Sequence, residues 1–486
     1  MTDQIVATPL SDRLRDILVD VEPRLPEGQA RQAVRAGLAR LADPKLRIAV
    51  GGRLNAGKST LVNALLGSQL APTDATECTL LAAWFRYHHR NQVEVHFRDG
   101  TSTVIPAAPG GGVPARVPFD QHTVTHLTVW APVEGVDHDF ILIDTPGRDA
   151  VSGLDDYSME AIRQADGLIF VMHDPGEVEL RALEEFRGAV ASARLSADNV
   201  IGVLSRIDTI SDHLAPAEQR AEASKIAARA AARLRGLIGT ILPVANRVAQ
   251  AAGCGHLTES HAATIAALAR LDEPQRRRLL FDNTRFLTSP AGTVSEAARA
   301  DLLAMLGRYG VTEAIAAVDN GARGATAIRT ALLSASGLID LQELIRQRFL
   351  LRADALRVDS VLAGLRRVTG DAPIDSTLRG LADAINVLRR DPALRVAELA
   401  EVARAYAAGH LELTDRLAAD LHDLLTGATP AQRLGRDAAA TDDELRAEAD
   451  RRIGRWQTFE FDLPRRSRRL ARIVIELLNE VWFRLD

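Results

Sequence analysis

The sequence predicts an α/β chain, with a mostly parallel sheet flanked by helices in its first half and an extended helical part after it. Three observations predict this. Short apolar runs alternate with helical periodicity from about residue 45 to about residue 245. From about 247 to the end only helical periodicity is found. A glycine-rich turn ending in lysine lies between the first apolar run and the helix after it, the place where a strand–turn–helix unit binds phosphate.

The elements follow in order. Residues 8–43 read as helix, with Leu10, Leu14, Ile17, Leu18, Val34, Leu38 and Leu41 at helical spacing and a break at Pro23 and Pro26. Strand candidates are Leu46–Val50, Val93–Phe97, Leu127–Trp130, Phe140–Ile143, Gly167–Val171, Val200–Leu204 and Ile241–Val244, with Leu80–Phe85 also strand-like. Helices are expected at Lys58–Leu66, Ser152–Gln164, Glu177–Ala191 and Pro216–Leu237. Arg98–Thr101 reads as a hairpin turn, and Pro106–Pro118, rich in Pro and Gly, as a mobile loop. The helical half is expected to break at Asp282–Thr293, Gly370–Pro373, Ala428–Ala431 and Phe461–Pro464.

Composition narrows the class. A chain of 486 residues suggests about three units of roughly 150 residues. With 25% charged and 47% apolar residues it reads as ordinary globular protein, and a net charge of −5 argues against a nucleic-acid partner. Two cysteines, Cys78 and Cys254, give no disulfide framework and fit a reducing cytoplasm. The N-terminus lacks the basic and apolar regions of a signal peptide, and the longest apolar runs, such as Gly167–Met172, fall far short of the ~20 residues of a membrane span. Any membrane contact is therefore expected to be peripheral. Lysine occurs only at Lys45, Lys58 and Lys225, so 56 of the 59 basic residues are arginine. Arginine clusters thus carry little information here, and a lysine inside a motif carries more.

The turn reads Gly52-Arg53-Leu54-Asn55-Ala56-Gly57-Lys58-Ser59, followed by Thr60, and satisfies the G-x-x-x-x-G-K-S/T phosphate-loop pattern. Its inward N–H groups and the positive end of the next helix form a nest for phosphate oxygens. Lys58 is placed to bridge the β- and γ-phosphates and the Ser59 hydroxyl to ligate Mg²⁺. About 85 residues later Asp144-Thr145-Pro146-Gly147 closes the strand Phe140–Ile143. Asp144 is expected to hold a Mg²⁺-bound water and the Gly147 N–H to sense a γ-phosphate. At the end of Val200–Leu204 stands Ser205-Arg206-Ile207-Asp208, against the guanine-reading pattern N/T-K-x-D. Asp208 keeps the acceptor for guanine N1 and N2, whereas Ser205 and Arg206 depart from the pattern. Arg206 can stack its aliphatic stem on a base. Asn246, after the strand Ile241–Val244, falls where a backbone N–H reads guanine O6. For the switch threonine, whose hydroxyl and carbonyl reach Mg²⁺ and the γ-phosphate, Thr79 is the first candidate and Thr76 the second. An ATPase is the alternative that the altered Ser205-Arg206 pair favours.

With GRLNAGKSTLVNALLG at 52–67, PTDATECT at 72–79, DTPG at 144–147 and SRID at 205–208, the chain resembles the bacterial dynamin-like GTPases, closest to the mycobacterial isoniazid-inducible group. The resemblance extends over nearly the whole chain, through Gly307–Gly310, Ser336–Ile345 and Ala431–Gly435. It implies a P-loop GTPase head with an extended α-helical stalk and neck bundle. The head is placed at 45–350, with a helical insertion at about 247–330 and the helix Gly337–Phe349 as its last. Residues 1–44 are placed in the neck, and 351–486 in a stalk whose C-terminal helix returns to pack on the N-terminal one. The resemblance implies a role for Asn55 in arranging phosphate and water. Arg148 stands where Ras-like enzymes carry a glutamine, and Leu54 where dynamins often carry a polar residue. It further implies GTP and Mg²⁺ as cofactors, and partnership through the head with a second copy or another dynamin-like protein. The expected function is GTP hydrolysis coupled to membrane remodelling from the cytoplasmic face of the plasma membrane. The alternative is a GTP-gated partner of a sister protein. Arg451–Arg472, which mixes arginines with Trp456, Phe459, Phe461 and Leu463, reads either as a patch for an anionic membrane or, the favoured reading, as a helix stopping before Pro464, with Trp456 and at least one of Phe459 and Phe461 buried and Pro464 opening the last helix.

Overall fold

The computed structural model describes residues 9–73, 81–133, 140–146, 164–173, 199–210, 216–234, 238–289, 293–369 and 376–389. It also describes scattered positions between 391 and 406, and residues 411–427, 429–464, 467–483 and 485. The strands among them are β1 (Leu46–Gly52), β2 (Ala83–Tyr87), β3 (Gln92–Phe97), β4 (Ser102–Ile105), β5 (Val124–Ala131), β6 (Phe140–Asp144), β7 (Gly167–Met172), β8 (Val200–Leu204) and β9 (Thr240–Pro243). They form one sheet in the order β4-β3-β5-β2-β6-β1-β7-β8-β9. The run β6-β1-β7-β8-β9 is parallel throughout, as is β2 on β5. The other pairs, β2–β6, β3–β4 and β3–β5, are antiparallel. The antiparallel arm grows from the expected hairpin. Phe97 N–H donates to Thr101 O at 2.9 Å, and Asp99 accepts from the Thr101 N–H.

The central strands are continuous apolar runs because both faces of the sheet are covered. Alternate residues enter two cores. Ile48, Val50, Leu142, Val171 and Val203 pack with Leu61 and Leu65 of α3 (Lys58–Leu66) and with Leu341 and Ile345 of α11 (Leu338–Arg348). Ala49, Ile143, Phe170, Val200 and Leu204 face the other way. There they meet α4 (Pro216–Arg233), α5 (Asn246–Gly253), α6 (Glu259–Ala269), α9 (Glu296–Asp319) and α10 (Gly324–Ser336). The helices between Asn246 and Arg348 thus share cores with the sheet. Two short helices, α7 (Glu273–Leu279) and α8 (Asn283–Thr288), connect α6 to α9. The second lies inside the expected break at Asp282–Thr293; its six residues, capped by Asp282 on Arg285 N–H, are too few to show periodicity. The helices expected at Ser152–Gln164 and Glu177–Ala191 lie, Gln164 apart, outside the described residues. The segment 106–118, expected to be mobile, is anchored where Val113 N–H donates to Leu70 O at 2.9 Å and the Val113 side chain is buried.

The N-terminal helices α1 (Leu10–Val21) and α2 (Gln29–Ala42) flank the expected proline break. Their apolar stripe, with Leu14, Leu18, Val34 and Leu41, shares a core with α12 (Ala353–Thr369) and α13 (Ser376–Leu388) through Val358, Leu362, Leu365, Leu381 and Ile385. This corrects the expected pairing with the C-terminal helix. That helix, α17 (Arg468–Phe483), buries Val474, Leu478 and Val481 in a different core, with α14 (Asp415–Thr426), the short α15 (Pro430–Arg433) and α16 (Asp442–Asp462). Both terminal helices carry an apolar stripe, but a stripe states only that a partner exists, and α12 and α16 lie nearer in the chain to what they cover. Trp456 is buried and Phe459 packs edge-on against it, with ring centres 5.7 Å apart, while Phe461 stands 81% exposed. Pro464 lies in the turn ahead of α17, accepting from Ser467 N–H, and does not open the helix itself. No helix among the described residues is long and apolar enough to cross a membrane.

Candidate nucleotide site

Four loops leave the C-terminal ends of parallel strands β1, β6, β8 and β9 along one edge of the sheet, where open α/β sheets bind ligands. The first is the phosphate loop. Gly52 leaves β1 at φ +144°, and a Cβ there would lie 2.2 Å from the carbonyl oxygen of Val171 in β7, so only glycine fits. Gly57 precedes α3 in the left-handed region, and Lys58 opens the helix. The Lys58 side chain is buried and its Nζ donates to Arg53 O at 2.9 Å. Leu54 and Asn55 are exposed at the crest, with Asn55 held at φ +60°.

Ser59 and Asp144 meet behind the loop, Oγ donating to Oδ2 at 2.8 Å. The other oxygen, Asp144 Oδ1, is buried without a hydrogen-bond partner among the described residues. Burial pushes this carboxyl up to about 6, against the pull of the Lys58 charge and the Ser59 hydroxyl. A hydroxyl oxygen beside a carboxylate oxygen with spare acceptor capacity is a donor set suited to a hard divalent cation. Thr145 secures the strand end, its hydroxyl donating to Val50 O at 2.8 Å. Asn63 fixes the exit from α3 by accepting from the N–H groups of Leu70 and Ala71 and donating to Ala71 O. Thr76, Thr79, Gly147 and Arg148 lie outside the described residues.

The residues after β8 bind back to the phosphate loop. The Ser205 hydroxyl is buried, 2.7 Å from Ala56 O and 3.1 Å from Met172 O. Arg206 sits at φ +54° and donates from Nη2 to Asn55 O at 2.5 Å. These are the two non-glycine residues in the left-handed region among those described, and they are bonded to each other. The departures from the usual pattern therefore have a use: Ser205 and Arg206 tie the base loop to the crest of the phosphate loop. After β9, Asn246 Nδ2 donates to Gly57 O at 3.0 Å, and Asn246 Oδ1 is buried without a partner among the described residues.

The matched proteins place this arrangement. The dynamin family profile matches residues 48–206, a span that contains the phosphate loop, Asp144 and Ser205-Arg206. The isoniazid-induced protein IniC of Mycobacterium tuberculosis is 30% identical over 426 residues, 84% of this chain and 84% of that one. The chain belongs to the dynamin family. Within the family it is similar to a bacterial dynamin-like protein of Nostoc punctiforme, at 28% identity over 140 residues, 26% of this chain and 20% of that one. It is also similar to dynamin-like protein A of Bacillus subtilis, at 26% identity over 174 residues, 36% of this chain and 14% of that one. The bacterial dynamin-like GTPases named on sequence grounds are thus its relatives.

A cavity of about 880 Å³ opens beside the phosphate loop of this dynamin-like protein. Gly57, Thr60, Arg206, Asp208 and Asn246 line it. The rest of its lining was not foreseen and includes Arg247 and Gln250 of α5, His261 of α6 and Asp301 and Met305 of α9. Helix α9 reaches the site through a kink at Gly307, at φ +63° and ψ 172°, whose Cβ position lies 3.4 Å from the Arg247 guanidinium and 3.7 Å from Asp208 Oδ2. The segment Gly307–Gly310 had drawn notice in the sequence, but nothing in a periodicity tells that a helix bends back onto a site.

Proposed function

We propose that this dynamin-like protein binds GTP with Mg²⁺ in the cleft between the phosphate loop, Asp144 and Asp208, and hydrolyses it. The observation that carries the reading is the Ser59–Asp144 bond at 2.8 Å beside a buried, partnerless carboxylate oxygen, next to a phosphate loop. Ser59, Asp144 and Thr79 are the residues that would hold Mg²⁺, which when bound neutralises charge on the phosphate oxygens. Lys58, now turned to the Arg53 carbonyl, supplies a cation for the β- and γ-phosphate oxygens. Gly52, Arg53, Leu54, Asn55, Ala56, Gly57 and Thr60 cradle the phosphates; the role proposed for Asn55 is to orient water and that for Gly147 to sense the γ-phosphate. Ser205, Arg206, Asp208 and Asn246 form the base end, and Asp208 accepts from guanine N1 and N2.

The proposed head spans residues 45–350. The N-terminal helices, joined by α12 and α13, form the neck, and the later helices form the stalk. Hydrolysis in the head is proposed to drive a conformational change that acts on a membrane peripherally, from the cytoplasm, with a second dynamin-like head as partner. Liposome co-sedimentation with and without a non-hydrolysable GTP analogue tests this, with the protein alone and with a neighbouring dynamin-like protein. Nucleotide-dependent sedimentation is expected; none under either condition overturns the membrane part of the proposal.

A further inference from the structure

The lining of the cavity includes two side chains that the functional reading leaves unused. His261 and Asp301 line the same space as Gly57, Thr60 and Asp208. These two side chains are joined, His261 Nε2 to Asp301 Oδ2, at 2.7 Å. The proton on that bond can be placed. Thr258 N–H points at His261 Nδ1 at 3.1 Å. A backbone N–H only donates, so Nδ1 accepts and the ring hydrogen resides on Nε2, directed at Asp301. His261 is held by the cap of α6 and is 18% exposed, whereas Asp301 is 63% exposed. Its second oxygen, Oδ1, has no partner among the described residues.

A nucleotide with its phosphates at Gly57 and Thr60 and its base at Asp208 turns the hydroxyl edge of its ribose away from both. Resting on the proposed GTP reading of this cleft, we infer that Asp301, oriented by His261, accepts a hydrogen bond from the ribose 2′- or 3′-hydroxyl and selects nucleotides that carry it. An ionised carboxylate is acceptor-only, and its bond to a hydroxyl is charge-assisted. His261 does not touch the sugar; it is a positioning residue that fixes one carboxylate oxygen and leaves the other for the ligand. The helical insertion thereby becomes part of the nucleotide site.

Calorimetric titration of the full chain with GDP, 2′-deoxy-GDP, 3′-deoxy-GDP and 2′,3′-dideoxy-GDP tests the inference. Loss of the contacted hydroxyl is expected to weaken binding by roughly tenfold. Asp301→Ala should bind GDP as weakly as the dideoxy form and leave dideoxy-GDP affinity unchanged. His261→Ala should shrink the discrimination, and His261→Gln should restore part of it, again without moving dideoxy-GDP affinity. Equal binding of GDP and dideoxy-GDP by the wild type, or discrimination surviving Asp301→Ala, overturns the inference while the GTP reading stands. Failure of the wild type to bind any guanine nucleotide overturns both.

Discussion

The hydroxyl of Ser59, in the first turn of α3, donates to the carboxylate of Asp144 at the end of β6, 85 residues further on in the chain. Adjacent parallel strands make the meeting possible, since Val50 of β1 pairs with Asp144 itself. Lys58 lies beside this pair, and its charge acts on Asp144. Replacing Lys58 by Ala removes the cation that would face phosphate oxygens as charge shifts. GTP turnover is expected to fall by roughly a hundredfold or more, as for other lost charge-stabilising donors. Phosphate release by the purified variant measures it, and undiminished turnover would count against the site.

Asp208 is proposed to accept from the two guanine N–H groups that adenine lacks. Asp208→Asn exchanges that acceptor for a donor. Affinity for GTP should drop and affinity for xanthosine triphosphate should rise, read by competition binding. ATP competing as well as GTP in the wild type would remove Asp208 from its proposed role.

Much of this was legible in the sequence, because the phosphate loop, Asp144 and Asp208 are chemistry tied to strand ends, and strand ends are marked by short apolar runs. The antiparallel arm was less so: β4 is four residues long and half-exposed, and only the Asp99-Gly100 turn betrays it. The wall made by His261 and Asp301 was invisible, since it depends on where α6 and α9 pack and on one kink at Gly307. The partner of the N-terminal helix was misjudged because apolar stripes are interchangeable until packing chooses among them.

Asp166, just ahead of β7, is fully shielded, and its carboxylate accepts from Arg40 of α2 and from the Arg47 N–H at 2.8 Å. Burial raises its pKa even against these donors. This pair fastens the N-terminal helices to the base of the sheet, opposite the edge that carries the phosphate loop. Arg40→Ala leaves a buried charge without its cation and should cost about 3–5 kcal/mol of stability, read by denaturant unfolding. A loss well under 1 kcal/mol would show that water reaches Asp166 in its place.

His126 stacks on His96 with ring centres 4.3 Å apart and lies 4.8 Å from Trp84. Burial and the neighbouring His96, Arg47 and Arg86 push its pKa down to about 3. The unfolded chain takes up this proton near pH 6.5 and the folded one does not, so stability should fall as pH drops from about 6.5 towards 3, by up to about 1.4 kcal/mol per pH unit. His126→Phe should flatten that limb of a pH–stability curve. An unchanged slope would place the acid sensitivity elsewhere.

Arg452 of α16 is buried and lies at the centre of the helical half. It donates to Asp423 at 2.9 Å, to Glu448 at 3.2 Å and to Leu434 O at 2.7 Å, and lies 3.3 Å from Asp420. Arg455 reaches Asp420 as well, and Arg436 and Arg451 reach Glu448. Despite burial, which opposes it, this cluster of guanidinium groups holds the Glu448 carboxyl down at about 2. The planar fork of arginine satisfies several acceptors at once, which an ammonium does not match. Arg452→Ala should therefore take a shared cation from three carboxylates and destabilise the C-terminal core by about 3–5 kcal/mol, and Arg452→Lys should recover only part of this. Arg452→Met in an Asp420→Asn, Asp423→Asn, Glu448→Gln background removes those carboxylate charges and should be milder than Arg452→Ala. Chemical denaturation of the set orders them, and a single Arg452→Ala as stable as the wild type would show the network to be dispensable.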